Sequence, residues 1–255
     1  MGHLPKPLKQ TSRLDTLLVA RGLVASRERA RAMILAGQVR VNGAVVSKAG
    51  HAVDGDAAVT LVEPDHPYVG RGGVKLAHAL DAFGIDVAGR LALDVGASTG
   101  GFTDVLLRRG AAKVAAVDVG HGQLDWTIRS DPRVLVLERV NARALTAGQL
   151  PADLRVFGIA TMDLSFISLR QVLPSIVPLL GPAADLIALV KPQFEAGRDE
   201  VGKGGLVRDP AVHARVIGEV SAAADALGLT RLATTESPIT GAEGNREFFL
   251  HLRHG

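Results

Sequence analysis

Four polar residues sit at expected sheet ends or helix starts: Lys75 in GRGGVKL, Asp163 in ATMDLSF, Lys191 in LIALVKPQF and Glu247 in GNREFFL. Two amines and two carboxylates could together move a proton and balance the charge that this creates. Lys191 stands out because it follows an apolar run and precedes a proline. Burial would lower its pKa toward the range of a base, and a neighbouring carboxylate would raise it. The sequence leaves that balance open. A plainer reading remains for the other three: a solvated Lys75, a helix-capping Asp163 and a surface Glu247.

A second group of residues points to a ligand. Leu91 to Leu107, LALDVGASTGGFTDVLL, is an apolar run ending in Asp94, a turn with Gly96, Gly100 and Gly101, and an apolar-periodic segment. Strand, tight turn and helix in that order open an α/β sheet that binds a nucleotide-like ligand at its strand ends. The dinucleotide pattern G-x-G-x-x-G is missing. A carboxylate at Asp94 is expected to repel a pyrophosphate and to suit a cationic amino acid group. S-adenosylmethionine, with its sulfonium and ammonium groups, is the expected cofactor. Its methionine end is expected by Asp94 and the turn from Gly96 through Ser98 to Gly101. Asp118, which ends the next strand KVAAVD, is expected to hold the ribose, with the adenosine reaching toward Asn141. Asp118 by itself would serve NAD equally well.

The elements that must position these groups fall into two parts. In the first, Arg13–Arg21 and the segment after the N-cap Ser26 read as helices, the second carrying Arg27, Arg29 and Arg31 and ending at Gly37. Strand candidates VRVNG, AVVSKAG and AVTLV follow, with Asn42-Gly43 as a hairpin signal. The arginine face carries no matching acid except Glu28, so phosphate binding and a plain solvated face compete evenly. EPDHPYV, with two prolines, reads as a linker. The expected division is 11–62, a linker at 63–70, and 71–255. In the larger part, strands are expected at 91–95, 113–118, 134–138, 157–163, 185–190, 231–236 and 247–252. Helices are expected at 72–83, 100–109, 168–180 and 211–227. Such alternation predicts a seven-stranded, mainly parallel, doubly wound sheet, with the last two strands as an antiparallel hairpin.

Composition narrows the chemistry. The chain of 255 residues has no cysteine, which excludes disulfides, thiolate metal sites and cysteine nucleophiles. Its eight histidines are scattered, so no protein-bound metal is expected. The polar N-terminus lacks a signal-peptide core, and no apolar run approaches the roughly 20 residues of a membrane span. A cytoplasmic protein with no membrane partner is expected. A net charge of +3 permits nucleic-acid binding without requiring it.

Two resemblances sharpen this. Arg13 to Asp56, with R-L-D-x-x-L, S-R, G-x-V-x-V-N-G and G-D, closely resembles the RNA-binding domain first described in ribosomal small-subunit protein S-four. The resemblance implies structured RNA held by Arg13, Arg27, Arg31 and Lys48. The second part resembles class I methyltransferases. The wording VGRGGVKL, LDVGASTGGFTDVL, DLSFIS, LVKPQFE and GNREFFL is similar to the TlyA family, distant relatives of the FtsJ/RrmJ heat-shock methyltransferases, over nearly the whole chain. That resemblance implies an rRNA ribose 2′-O-methyltransferase acting on cytidine. It implies Lys191 as the group that deprotonates the hydroxyl, with Asp163, Glu247 and Lys75 orienting it and balancing charge; Asp163 is expected to touch the cofactor as well. Members acting on both ribosomal subunits extend beyond the point where HLRHG ends, so large-subunit rRNA alone is expected. Competing readings are a nicotinamide-dependent oxidoreductase, a non-catalytic RNA-binding ribosome-assembly factor and a haemolysin. An amino-group methyltransferase would carry Asp/Asn-Pro-Pro-aromatic where this chain has Asp163-Leu-Ser-Phe, so hydroxyl chemistry is preferred.

Overall fold

The computed structural model describes residues 11–24, 26–35, 37–61, 66–241 and 243–255. The first part contains β1 (Thr11–Arg13), α1 (Leu14–Ala20), α2 (Arg27–Leu35), β2 (Val39–Val41), β3 (Ala44–Val45), β4 (Ala52–Asp54) and β5 (Val59–Leu61). β2 pairs with β3 and β5, and β1 pairs antiparallel with β4. Leu14, Leu17, Leu18, Ala30, Ile34, Val39 and Val53 form one small core under the two helices. Ser26 caps α2 by accepting a hydrogen bond from the Arg29 amide at 3.2 Å. The β1–β4 pair was missed in the sequence, because three-residue strands leave no alternation to read. The expected strand at 44–50 shortens to Ala44–Val45, and Lys48 lies in the turn whose carbonyl receives the His51 amide.

Asp15 organises this part. It is fully buried, and Arg13, Arg27 and Arg31 converge on it at 2.9, 3.3 and 3.3 Å. Arg13 leads in holding this carboxyl far below the usual range, against the opposing effect of burial. The expectation that the arginine face has no matching acid except Glu28 is therefore corrected: the acid comes from the other helix.

The second part contains α3 (Gly72–Phe83), β6 (Leu91–Val95), α4 (Gly101–Arg108), β7 (Lys113–Asp118), α5 (Trp126–Arg129), β8 (Val134–Glu138), β9 (Phe157–Met162), α6 (Leu173–Ile176), β10 (Leu180–Val190), α7 (Pro192–Glu195), α8 (Pro210–Asp225), β11 (Leu229–Glu236) and β12 (Phe248–His254). The sheet order is β11-β12-β10-β9-β6-β7-β8, and β12 runs antiparallel to both its neighbours. Apolar layers cover both faces, one built on Leu93, Met162, Leu173 and Val216, the other on Leu76, Leu80, Phe102 and Phe249. The helix expected at 168–180 breaks into short 3₁₀ and α turns. Pro174 and Pro178 lack the N–H donors that a continuous helix would need there. Of the expected linker, 63–65 lie outside the described residues. Tyr68 and Val69 are tied to α4: the Val69 amide donates to Asp104 at 3.0 Å, and Arg108 lies over the Tyr68 ring.

Asp15→Ala would leave three cations without their shared anion. Because the arginines are half exposed, the expected loss is about 1–3 kcal/mol. Hydrogen exchange should show faster opening across 11–61 and little change in the sheet of the second part. Equal protection in both forms would remove Asp15 from this organising role.

Candidate functional site

The sheet topology gathers the polar residues at one edge. β6, β7, β9 and β10 are parallel, so their C-terminal ends share that edge. Asp163 follows β9, and Lys191 follows β10. β12 is antiparallel, so its first residue lies there instead of its last: Phe248 pairs with Val190. Glu247, immediately before it, thus meets Lys191 and Asp163 from the opposite chain direction. Lys75 comes from the first turn of α3.

The four form two ion pairs. Lys75 Nζ lies 2.5 Å from Glu247 Oε2, and Lys191 Nζ lies 2.6 Å from Asp163 Oδ1. The second contact lies off the hydrogen-bonding direction, so Oδ1 has a charge partner but no aligned donor. Lys191 also donates to Ser165 Oγ at 2.9 Å. Burial pushes the Lys191 pKa down, but the Asp163 and Glu247 charges outweigh it and hold the amine above its usual value. Burial pushes Asp163 up, and the Lys191 and Lys75 charges outweigh it in turn. The balance left open by the sequence falls on the side of the charged amine.

These pairs line a cavity of about 290 Å³, near the lower end of ligand-cleft sizes. The glycine turn forms another wall, with Gly96, Ala97, Ser98, Thr99 and Gly101. Gly96 sits at φ +90°, and a Cβ there would fall 2.2 Å from the Asp163 carbonyl oxygen. Only glycine lets the turn after β6 come this close to the end of β9, the point where the strand order reverses. Gly100, also at positive φ, leads into α4.

Asp94 is placed differently from expectation. It lies fully buried beneath the turn, and its oxygens accept from Thr103 at 2.6 Å and Thr161 at 3.0 Å. It braces β6 to β9 and α4 and does not line the cavity. Burial pushes its pKa up to about 7, the two threonine bonds opposing and the charges of Asp163 and Asp118 adding. Asp118 binds the turn directly, accepting from the Ser98 amide at 2.8 Å and the Gly120 amide at 2.6 Å. Beside it, Ala97, Ser98, Gly120, Gln123 and Glu138 enclose a narrow cleft of about 10 Å³, room for about one water. Asn141 is exposed and caps the following turn through the Arg143 amide. Glu138, paired in register with Asp118, lines that cleft, and Asn141 does not.

In the first part, Arg13, Arg27 and Arg31 are brought together by Asp15. The turn carrying Lys48 is tied alongside through the Leu14 and Asp15 amides, which donate to His51 and Ala49 carbonyls. Leu35 and Ser47 of this part line the cavity, and Arg29 pairs with Asp125 at 3.2 Å. Sequence reasoning missed Arg71, Ser165, Phe166 and Phe194, which also line the cavity. Phe166 is 91% exposed at φ +66° and packs on Phe194, ring centroids 5.1 Å apart. An exposed aromatic inside DLSFIS looks like core in a sequence, so no signal separated it. Among the described residues no group of His, Cys, Asp or Glu could hold a metal, and no helix is long and apolar enough to cross a membrane.

With this geometry in hand, the comparisons with known proteins are specific. The FtsJ-like methyltransferase family matches residues 68–254, and the S4 domain matches residues 12–59. The Mycobacterium tuberculosis 16S/23S rRNA (cytidine-2′-O)-methyltransferase TlyA is 49% identical, covering 96% of this chain and 91% of that protein. The chain belongs to the TlyA group of FtsJ-like methyltransferases. The Campylobacter jejuni 23S rRNA (cytidine-2′-O)-methyltransferase TlyA is 34% identical over 72% of this chain and 70% of its own. A solved structure titled as a haemolysin, from Streptococcus thermophilus, is 40% identical, with a TM-score of 0.75 over 97% of this chain and 90% of that one.

The raised pKa of Asp94 has a consequence for stability. Its unfolded value is about 3.9, so between pH 4 and 7 the folded protein holds more protons than the unfolded chain. Its contribution to stability therefore falls as pH rises through that window. Asp94→Asn stays neutral, so it should gain stability relative to the parent from pH 4 to about 7 and level off above. Denaturant melts across this range check it, and a flat difference would contradict the burial argument.

Proposed function

We propose that this protein transfers a methyl group from S-adenosylmethionine to the ribose 2′-hydroxyl of a cytidine in rRNA, in the cytoplasm, with large-subunit rRNA as target. The reading is carried by the charge-balanced set Lys75–Glu247 and Lys191–Asp163, which lines one cavity with a glycine turn. The large subunit is favoured because 23S rRNA is common to the names of both methyltransferase relatives.

The residues suit the cofactor. Gly96 to Gly101 permit close approach of a ligand to backbone, and Asp118 stands at the strand end where a ribose is held. Asp163 borders the same turn. When bound, the cofactor supplies an electrophilic methyl group. This chain's residues must seat the hydroxyl, exclude water and accept its proton. Seating alone can supply much of the acceleration. Lys191 is the proton acceptor, and its pairing with Asp163 sets a condition: the amine must lose its proton before it can take one. Asp163 and Glu247 hold that proton on; Lys75 neutralises Glu247 and limits this effect. Arg13, Arg27, Arg31 and Lys48 hold the RNA, as a cluster of net positive charge outside the cavity.

The test is single-turnover methylation of rRNA, with ribose methylation mapped on both subunits. The parent should modify cytidine in large-subunit rRNA; modification of small-subunit RNA alone, or of a base, would overturn the assignment. Lys191→Arg keeps the charge but cannot release a proton, so the chemical step should be lost. Near-parental activity in that variant would remove the general-base role.

Asp163→Asn provides a separate check by pH. Removing the carboxylate withdraws one of the charges that hold Lys191 protonated, so the rise of the single-turnover rate with pH should move to lower pH. An unmoved profile would mean that Lys191 does not set it.

A further inference from the structure

The cavity wall carries three cations, Arg71, Lys75 and Lys191. Lys75 and Lys191 are each consumed by a carboxylate. Arg71 has no carboxylate partner among the described residues. Its guanidinium makes one hydrogen bond, donating to the Thr240 carbonyl at 3.3 Å. Five donors are available on that group, so most of its capacity faces the cavity or solvent.

Its position is built by three segments. Arg71 is the N-cap of α3. Its aliphatic stem lies against Gly37 of the first part, where a Cβ would come within 2.8 Å of Arg71 Cδ. Its head reaches Thr240, in the loop between β11 and β12. A guanidinium held at both stem and head loses little further freedom when it binds.

We propose that Arg71 binds the phosphodiester of the acceptor nucleotide. This inference rests on the ribose-methylation reading above. A ribose 2′-hydroxyl stands next to a 3′-phosphodiester, so seating the hydroxyl brings a full negative charge to the cavity. The two ion pairs are together neutral and leave nothing to compensate it. Glu243, also on the wall, adds repulsion. Arg71 is the cation left free, and its planar fork matches two phosphate oxygens at once. The arginines gathered by Asp15 would hold RNA at a distance from the reaction; Arg71 would hold the reacting nucleotide itself.

The test uses the full chain and unmodified rRNA in single-turnover methylation at several salt concentrations. Arg71→Ala should raise the half-saturating RNA concentration about tenfold to a hundredfold, the range of a charged hydrogen bond. It should lower the slope of log affinity against log salt by roughly 0.7–0.9 for the one lost contact. Arg71→Lys should keep the slope and recover part of the affinity. Binding of S-adenosylhomocysteine by calorimetry should be unchanged in both variants. An rRNA fragment with a neutral methylphosphonate 3′ to the modified cytidine should weaken the parent protein to the level of Arg71→Ala and should not weaken that variant further. If Arg71→Ala fails to fold, Arg71→Lys takes its place in this arm and should be weakened by the methylphosphonate less than the parent is. Unchanged half-saturation and slope in Arg71→Ala, equal affinity for the methylphosphonate RNA, or a loss confined to cofactor binding would overturn the proposal. Absence of ribose methylation by the parent itself would instead overturn the functional reading on which it rests.

Discussion

The Lys191–Asp163 ion pair is the contact around which this edge of the sheet is arranged. Its 2.6 Å separation is possible because β9 and β10 are adjacent parallel strands whose C-terminal ends share one edge of the sheet. Two partly buried charges in contact must offset the loss of their hydration, and isolated pairs often do so only partly. Here a second pair, Lys75–Glu247, stands beside the first. The four charges sum to zero, and each carboxylate feels both amines. That arrangement keeps ionised groups stable in a cavity wall and ready to respond when a new charge enters.

The backbone around the pair is set by close approaches. The turn at Gly96 presses against the Asp163 carbonyl, and a second contact at Gly101 brings α4 against the start of α3, where a Cβ would meet the Gly73 amide nitrogen at 2.9 Å. Asp94 braces the turn from beneath through Thr103 and Thr161, and Asp118 holds it from the side through the Ser98 amide. The two acids that look alike in sequence therefore do different work. One is a neutralisable brace inside the fold; the other accepts backbone hydrogen bonds at the strand end.

Asp15 does for the first part what Asp163 does for the second. One buried carboxylate collects Arg13, Arg27 and Arg31 and leaves them half exposed with an excess of positive charge. Long cationic side chains lose freedom when they bind phosphate, and gathering them beforehand reduces that cost. The cluster stands on the same body as Leu35 and Ser47, which line the cavity, and Arg29 contacts Asp125 on the sheet domain. That last pair is exposed and contributes little stability by itself.

Much of this was legible along the chain. Each of the seven strands of the large sheet and three of its four expected helices follow from apolar runs and from glycine, because those signals are local. α3 at 72–83 and β7 at 113–118 fall where periodicity places them. Lys75, Asp163, Lys191 and Glu247 could be singled out because each is a charged residue at the start or end of an expected element. Their pairing could not, because it depends on β12 running antiparallel and presenting its first residue at the common edge. The charge state of Lys191 likewise depended on distances between segments far apart in sequence. So did the burial of Asp94 and the meeting of three arginines on Asp15. Local pattern carries where a residue sits within its own element; which charges touch is decided only when separate elements close on one another.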